Sequence, residues 1–179
     1  LKSDIIEVRE TAMFPNPMFD QFLLICFFAL VASAALTDMN SFRIPNRVSL
    51  ALAALYPLHV LVSPTPVGWS MALAVAALVF AAGFVLFVLG MVGGGDVKLL
   101  AAVSLWAGSP LVAPLLVVMG LAGGAMALAA LAVQYARRYR TSGIVGVIVP
   151  DASVAAPKLP YGVAIAAGAF YAGVHLLTA

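Results

Sequence analysis

Residues 69–92 run for 24 positions without one charged side chain. As a helix that run is about 36 Å long, enough to cross the hydrocarbon core of a bilayer with tilt. Other predominantly apolar runs lie at 19–36, 48–62, 111–133 and 159–177, with a shorter one at 97–107. Only 9% of the residues are charged, where a soluble domain carries about 25%. So little charge leaves most of the surface to face lipid, and there every backbone polar group must be satisfied within its own segment or barrel. The runs are continuous rather than alternating, which excludes a β-barrel. The expectation is an all-α polytopic membrane protein of about six transmembrane helices, in contact with the lipid bilayer and with no nucleic-acid partner. No signal peptide is expected, because the first apolar run starts late and lacks a basic flank before it.

No soluble domain remains once the spans are removed. Residues 1–179 read as a single membrane domain: a polar N-terminal tail at 1–18, a transmembrane core at 19–177, and within it a polar connection at 134–158. The run 97–107 is about 16 Å long as a helix and cannot cross alone. The Gly108-Ser109-Pro110 break after it makes it a short fourth helix. Pro57 is expected to kink the second span, and Gly120 and Gly124 form a small-residue pair suited to close helix approach. In a six-span arrangement Arg43, Arg47, Lys98, Arg137, Arg138, Arg140 and Lys158 all fall on one side. The positive-inside rule places that side in the cytoplasm, with both termini outside and the 134–158 connection inside.

Two aspartates then lie on the inner face at the ends of apolar runs, Asp38 and Asp96. Ionisable residues so close to hydrocarbon are costly and usually functional. Either alone reads equally well as a cap for nearby backbone N–H groups. A pair on one face asks for more, because capping does not need two. Two carboxylates that meet can share one proton, leaving one as a base for water and the other as an acid toward a carbonyl. No metal and no cofactor is required. Gly93, Gly94 and Gly95, just before Asp96, lack the side chains that would keep an extended substrate off the backbone. The dipole at the start of the fourth helix favours charge on Asp96, whereas Asp38 sits at a helix C-terminal end, so Asp38 is expected to hold the shared proton more often.

Gly93-Gly94-Gly95-Asp96 fits the Gly-x-Gly-Asp motif of intramembrane aspartic proteases. Thr37-Asp38 with Ile44-Pro45-Asn46-Arg47, Lys98 two residues past Asp96, and Pro160-Tyr161-Gly162-Val163-Ala164-Ile165 resemble the type IV prepilin peptidases in particular. The Tyr-Asp and Pro-Ala-Leu motifs of presenilin-like proteases are missing. The resemblance implies an aspartic endopeptidase with Asp38 and Asp96 catalytic, and with Gly93, Gly95, Lys98, Pro160, Tyr161 and Gly162 binding substrate or shaping the site. It implies a prepilin substrate whose basic leader is cut off at the cytoplasmic face of the inner membrane. Longer members carry a zinc-binding cytoplasmic domain with four cysteines and also N-methylate the product. With Cys26 alone and a short loop between the first two spans, this chain is similar to the short class associated with Tad/Flp pili. The particular prepilin and the oligomeric state are not written in the sequence.

Other polar residues have simpler readings. Arg43, Arg47 and the 137–140 cluster anchor topology; Lys98 either snorkels to headgroups or serves the acid pair. His59 and His175 read as interfacial histidines, Asp151 as solvated, and 143–149 as a flap over the substrate. The competing function is a proton-coupled transporter or channel that uses Asp38 and Asp96 as a relay. Against it, the acids lie at one face rather than the midplane, and no internal repeat is present.

Overall fold

The computed structural model describes residues 15–148 and 159–178, with five helices and no strand among them. They are α1 (Pro17–Ser41), α2 (Asn46–Val62), α3 (Trp69–Val88), α4 (Gly94–Ile148) and α5 (Tyr161–Thr178). Four of them, α1, α3, α4 and α5, are long and apolar enough to cross a membrane; α2, at 17 residues, is apolar but shorter. Most of the N-terminal tail, Asp151 and Lys158 lie outside the described residues.

Local chemistry sets the ends. Asn16 opens α1, its Oδ1 accepting the Phe19 N–H at 3.1 Å, with Pro17 in the first turn where a missing N–H costs nothing. Phe42 closes it in the left-handed conformation at φ 50°, and its N–H bonds the Asp38 carbonyl at 2.8 Å. Gly90, at φ 73°, ends α3 at Val88, four residues short of the apolar run. Pro57 sits inside an otherwise continuous α2.

The direction of α4 decides the architecture. Lys98 meets Asn46 at the start of α2, and the Trp106 indole N–H bonds the Leu52 carbonyl at 2.9 Å, so residues 94–107 run alongside α2 in the same direction. Gly108 then adopts φ 57°, which a Cβ would oppose, and Pro110 follows. Beyond this break Leu115 lies against Gly168 and Gly123 against Ala164 of α5, an antiparallel register. Because α5 begins where Gly162 meets Asp38, the second arm travels back toward that same end. The helical trace therefore contains a reversal, at the Gly108-Ser109-Pro110 break read from the sequence.

Two expectations change. Residues 134–148, read as polar connection and flap, continue α4 as helix. The stretch Gln134–Arg140 is polar but made of good helix formers, and polarity alone does not end a helix. Gly120 and Gly124 have nothing within 4 Å, and the close helix approaches use other glycines. At Gly168 an added Cβ would meet the Leu115 carbonyl oxygen at 2.6 Å, and at Gly83 it would meet Val97 Cγ1 at 2.9 Å. The core is the seam where α1, α2, α4 and α5 converge, filled by Phe27, Leu52, Leu99, Val103, Trp106 and Ile165. The remaining helix, α3, packs on α4 and reaches the core through Ala72.

Candidate active site

Asp38 lies in the last turn of α1, 4% exposed. Its carboxylate does not cap its own helix. It crosses to α5, where Oδ2 accepts the backbone N–H of Gly162 at 2.7 Å. Only glycine fits there: an added Cβ would stand 2.9 Å from both Asp38 Cβ and Oδ2, and 3.0 Å from Ile44 Cδ1. Ile44 spans the site, since its Cβ and carbonyl oxygen would each lie 3.3 Å from a Cβ on Gly95. The residue after Gly95 is Asp96, so α1, the 42–45 connection, α4 and α5 meet around two carboxylates.

Asp96 is half-buried in the first turn of α4 and reaches back to the Gly93 backbone N–H, as the third residue of a capping box does. It is also near enough to Asp38 for the two charges to interact. The three glycines are not equivalent. A Cβ on Gly93 would press on Asp96 Oδ2 at 2.7 Å and one on Gly95 on the Ile44 backbone, whereas one on Gly94 would meet only the edge of the Phe87 ring. Each carboxylate now has a helix N-terminal N–H. The asymmetry expected from α1 alone, with Asp38 at a C-terminal end, is lost because the Asp38 side chain leaves that end for the start of α5.

Lys98 does not touch either carboxylate; its Nζ donates to Asn46 Oδ1 at 3.1 Å. The Pro160-Tyr161-Gly162 set divides. Gly162 contacts Asp38, Pro160 accepts the Val163 N–H through its carbonyl at 3.1 Å, and the Tyr161 side chain is exposed. Arg43 and Arg47 are exposed at this same end of the bundle.

A second polar centre, at the other end, was missed from sequence. Asp20 Oδ1 lies 2.5 Å from His59 Nδ1, and both side chains are buried. The imidazole stacks on Trp106, ring centroids 5.0 Å apart and 23° from parallel. His59 is therefore no interfacial histidine: it joins α1 to α2 and rests on α4. The available signal was Asp20 itself, an acid inside the first apolar run, which needed a buried partner. His175 is exposed and packs against Tyr171. Among the described residues no three His, Cys, Asp or Glu side chains come together as a metal-ligand set.

Chemically, the site offers two neighbouring carboxylates, each anchored by a backbone N–H, beside a glycine-lined helix start. That arrangement can activate water and protonate an amide. A family model described as the type IV leader peptidase family matches residues 23–128, a span that includes both carboxylates. No curated protein and no solved structure matches the chain.

Proposed function

The chain belongs to the type IV leader peptidase family, and from that premise we propose that it is an aspartic endopeptidase whose catalytic pair is Asp38 and Asp96. Its substrate is a Flp-like prepilin, cut between basic leader and mature chain at the cytoplasmic face of the inner membrane. The observation that carries the reading is the convergence of two acids, from α1 and α4, near enough to interact, with Asp38 held by the Gly162 N–H and Asp96 by that of Gly93.

The chemistry follows from one proton shared by two carboxylates. The ionised member takes a proton from water, whose oxygen attacks the scissile carbonyl carbon. The protonated member gives its proton to the carbonyl oxygen. Collapse of the tetrahedral intermediate expels the amine, which takes up the proton accepted from water, while the new carboxyl group returns its extra proton to the aspartate that donated it. Because each aspartate has a backbone donor, neither is assigned the base permanently. Gly93 and Gly95 let the Asp96 carboxylate and the Ile44 backbone close on the start of α4, while Gly162 fixes the orientation of Asp38.

Six crossings suit this reading. The first arm of α4, residues 94–107, is about 21 Å long, short of the roughly 30 Å hydrocarbon core. That length sets Asp96 inward from the interface while the second arm returns Arg137 and Arg140 to the dyad side, with both chain termini outside. The single cysteine and the short 42–45 connection support the Tad/Flp class without methyl transfer.

The test is to mix detergent-purified protein with a Flp-like prepilin and to identify the products by mass spectrometry. One cut that releases the basic leader is expected. Intact prepilin from several verified substrates would overturn the proposal.

A further inference from the structure

The two carboxylates stand on helices that are not close neighbours. Asp38 is on α1 and Asp96 on α4, yet α1 packs on α2 and α5 and scarcely on α4. Contacts of α5 with α4 at Leu115 and Gly123 lie beyond the Gly108 break, on the second arm. The first arm, which carries Asp96, is tied to α2 instead, by Lys98 to Asn46 and by the Trp106 indole N–H to the Leu52 carbonyl. The placement of Asp38 against Asp96 therefore depends on how α1 is fixed to α2. That fixing is done at the end of the bundle away from the dyad, by the Asp20–His59 pair at 2.5 Å and by the Asn16 N–H to the Val62 carbonyl at 2.9 Å.

Trp106 closes the circuit. Its ring stacks on His59 of α2 and meets Phe27 of α1, centroids 5.0 Å and 4.9 Å away. From Phe27 to Asp38 is about 16 Å along α1, and from Trp106 back to Asp96 about 15 Å along the first arm of α4. Neither stretch contains a break, so each aspartate moves with the aromatic ring on its own helix. A slip of α1 past α4 at the Trp106 contact becomes an equal slip of Asp38 past Asp96. The chemistry of the pair suits this task. A buried ion pair is a poor source of stability, and apolar side chains often hold as well. Apolar contact is non-directional and tolerates sliding, whereas a hydrogen bond weakens steeply as its geometry is lost.

We propose that Asp20 and His59 are positioning residues of the active site. Together with Trp106 they fix, from the opposite end of the bundle, the register of α1 against the first arm of α4, and so the spacing of Asp38 and Asp96. The inference rests on the leader-peptidase reading and deepens it. Neither residue touches the substrate or the reacting atoms. What they set is the distance at which two carboxylates share one proton. That distance governs the pH range over which the pair carries a single proton, because nearby like charges resist ionising together. When the register is released the aspartates part, and that range narrows.

Asp20→Leu/His59→Phe replaces the pair by apolar side chains and keeps a ring on Trp106. Leader release from a prepilin is compared with wild type and with Asp20→Asn, whose amide oxygen still accepts from Nδ1. The folded fraction of each comes from thermal melts. The double variant is expected to keep most of the wild-type Tm and an unchanged KM, to lose about 10-fold in kcat, and to show a narrower pH–rate bell. The titratable side chains exposed at the dyad end, Arg43, Arg47, Lys98 and Tyr161, are the same in all three proteins, so the narrowing reports the aspartates. Asp20→Asn is expected to match wild type in kcat and in the width of the bell. A folded double variant with wild-type kcat and profile would overturn the assignment and leave the pair a matter of stability alone. Asp20→Asn as slow as the double variant would overturn it too, by making charge rather than register the cause. A wild type that cleaves no prepilin would instead overturn the peptidase reading itself. Should the double variant fail to fold, Trp106→Phe keeps a ring in place and removes the bond to Leu52. It is expected to show the same fall in kcat and the same narrowing, and normal turnover by it would overturn the proposal.

Discussion

Gly162→Ala tests the coupling of α5 to Asp38. The new methyl would lie 2.9 Å from Asp38 Cβ and Oδ2 and 3.0 Å from Ile44 Cδ1. Carbon contacts settle at about 3.5–4.0 Å, so something must move by roughly 0.5–1 Å. The end of Ile44 can rotate away. Asp38 Cβ is fixed to α1 and cannot, so α5 must part from α1 or the carboxylate must swing. Either motion weakens the 2.7 Å bond from the Gly162 N–H. Overpacking costs about 1–3 kcal/mol and the loss of a hydrogen bond to a charged group about 1.5–3 kcal/mol. A reacting group misplaced by about 1 Å costs roughly 100-fold in rate. Gly168→Ala is the matched control. Its methyl would meet the Leu115 carbonyl oxygen at 2.6 Å, about 9 Å along the same helix, without touching the site. The assay is leader release per folded enzyme, with the folded fraction taken from thermal melts in detergent. Gly162→Ala is expected to lose about 100-fold in kcat along with some stability, and Gly168→Ala to lose stability at near-normal kcat. If the two variants lost activity in the same proportion to stability, or if Gly162→Ala cleaved normally, the positioning argument would be refuted.

Three further outcomes are expected. His59→Ala strands the buried Asp20 carboxylate and should cost about 3–5 kcal/mol, read as a drop in Tm; the double variant Asp20→Leu/His59→Phe should recover most of it, and a double variant no more stable than His59→Ala would refute the ion pair as the cause. Lys98→Met and Asn46→Ala should each slow cleavage modestly and show little additional loss when combined, because they remove the same hydrogen bond; fully additive effects in a double-mutant cycle would separate them. Among the glycines, Gly94→Ala should be tolerated, the Phe87 ring being able to yield, while Gly93→Ala and Gly95→Ala should cut the rate at least about 10-fold through the Asp96 carboxylate and the Ile44 backbone. Equal rates for all three would mean that the glycines serve only the chain turn.

Helices were legible because apolar runs of membrane length admit little else. The break at Gly108-Ser109-Pro110 was legible too, since glycine and proline state their backbone preferences locally. What the sequence hid was long-range pairing. That the Asp38 carboxylate would accept a hydrogen bond from residue 162, 124 positions away, depends on how α1 and α5 pack, and no local pattern encodes it. The same holds for Asp20 and His59, 39 positions apart, each unremarkable until α1 and α2 bring them together. Gly120 and Gly124 show the opposite error: a local motif for close packing, exposed on α4, while Gly168, spaced four residues from Ala164 and from Ala172, makes the contact. The end of α4 was misplaced because charge was taken as a stop signal, although Ala, Arg and Gln favour helix.

The central claim is that Asp38 and Asp96 act as one catalytic pair. The most direct measurement is leader release from a prepilin by wild type, Asp38→Asn and Asp96→Asn, each shown by its thermal melt to be folded. Asparagine keeps the size of the side chain and an oxygen able to accept from Gly162 or Gly93, so a purely capping role survives the change. The account predicts product from the wild type and none above background from either variant. Cleavage persisting in a folded variant would contradict it, and would return that aspartate to capping the helix it touches.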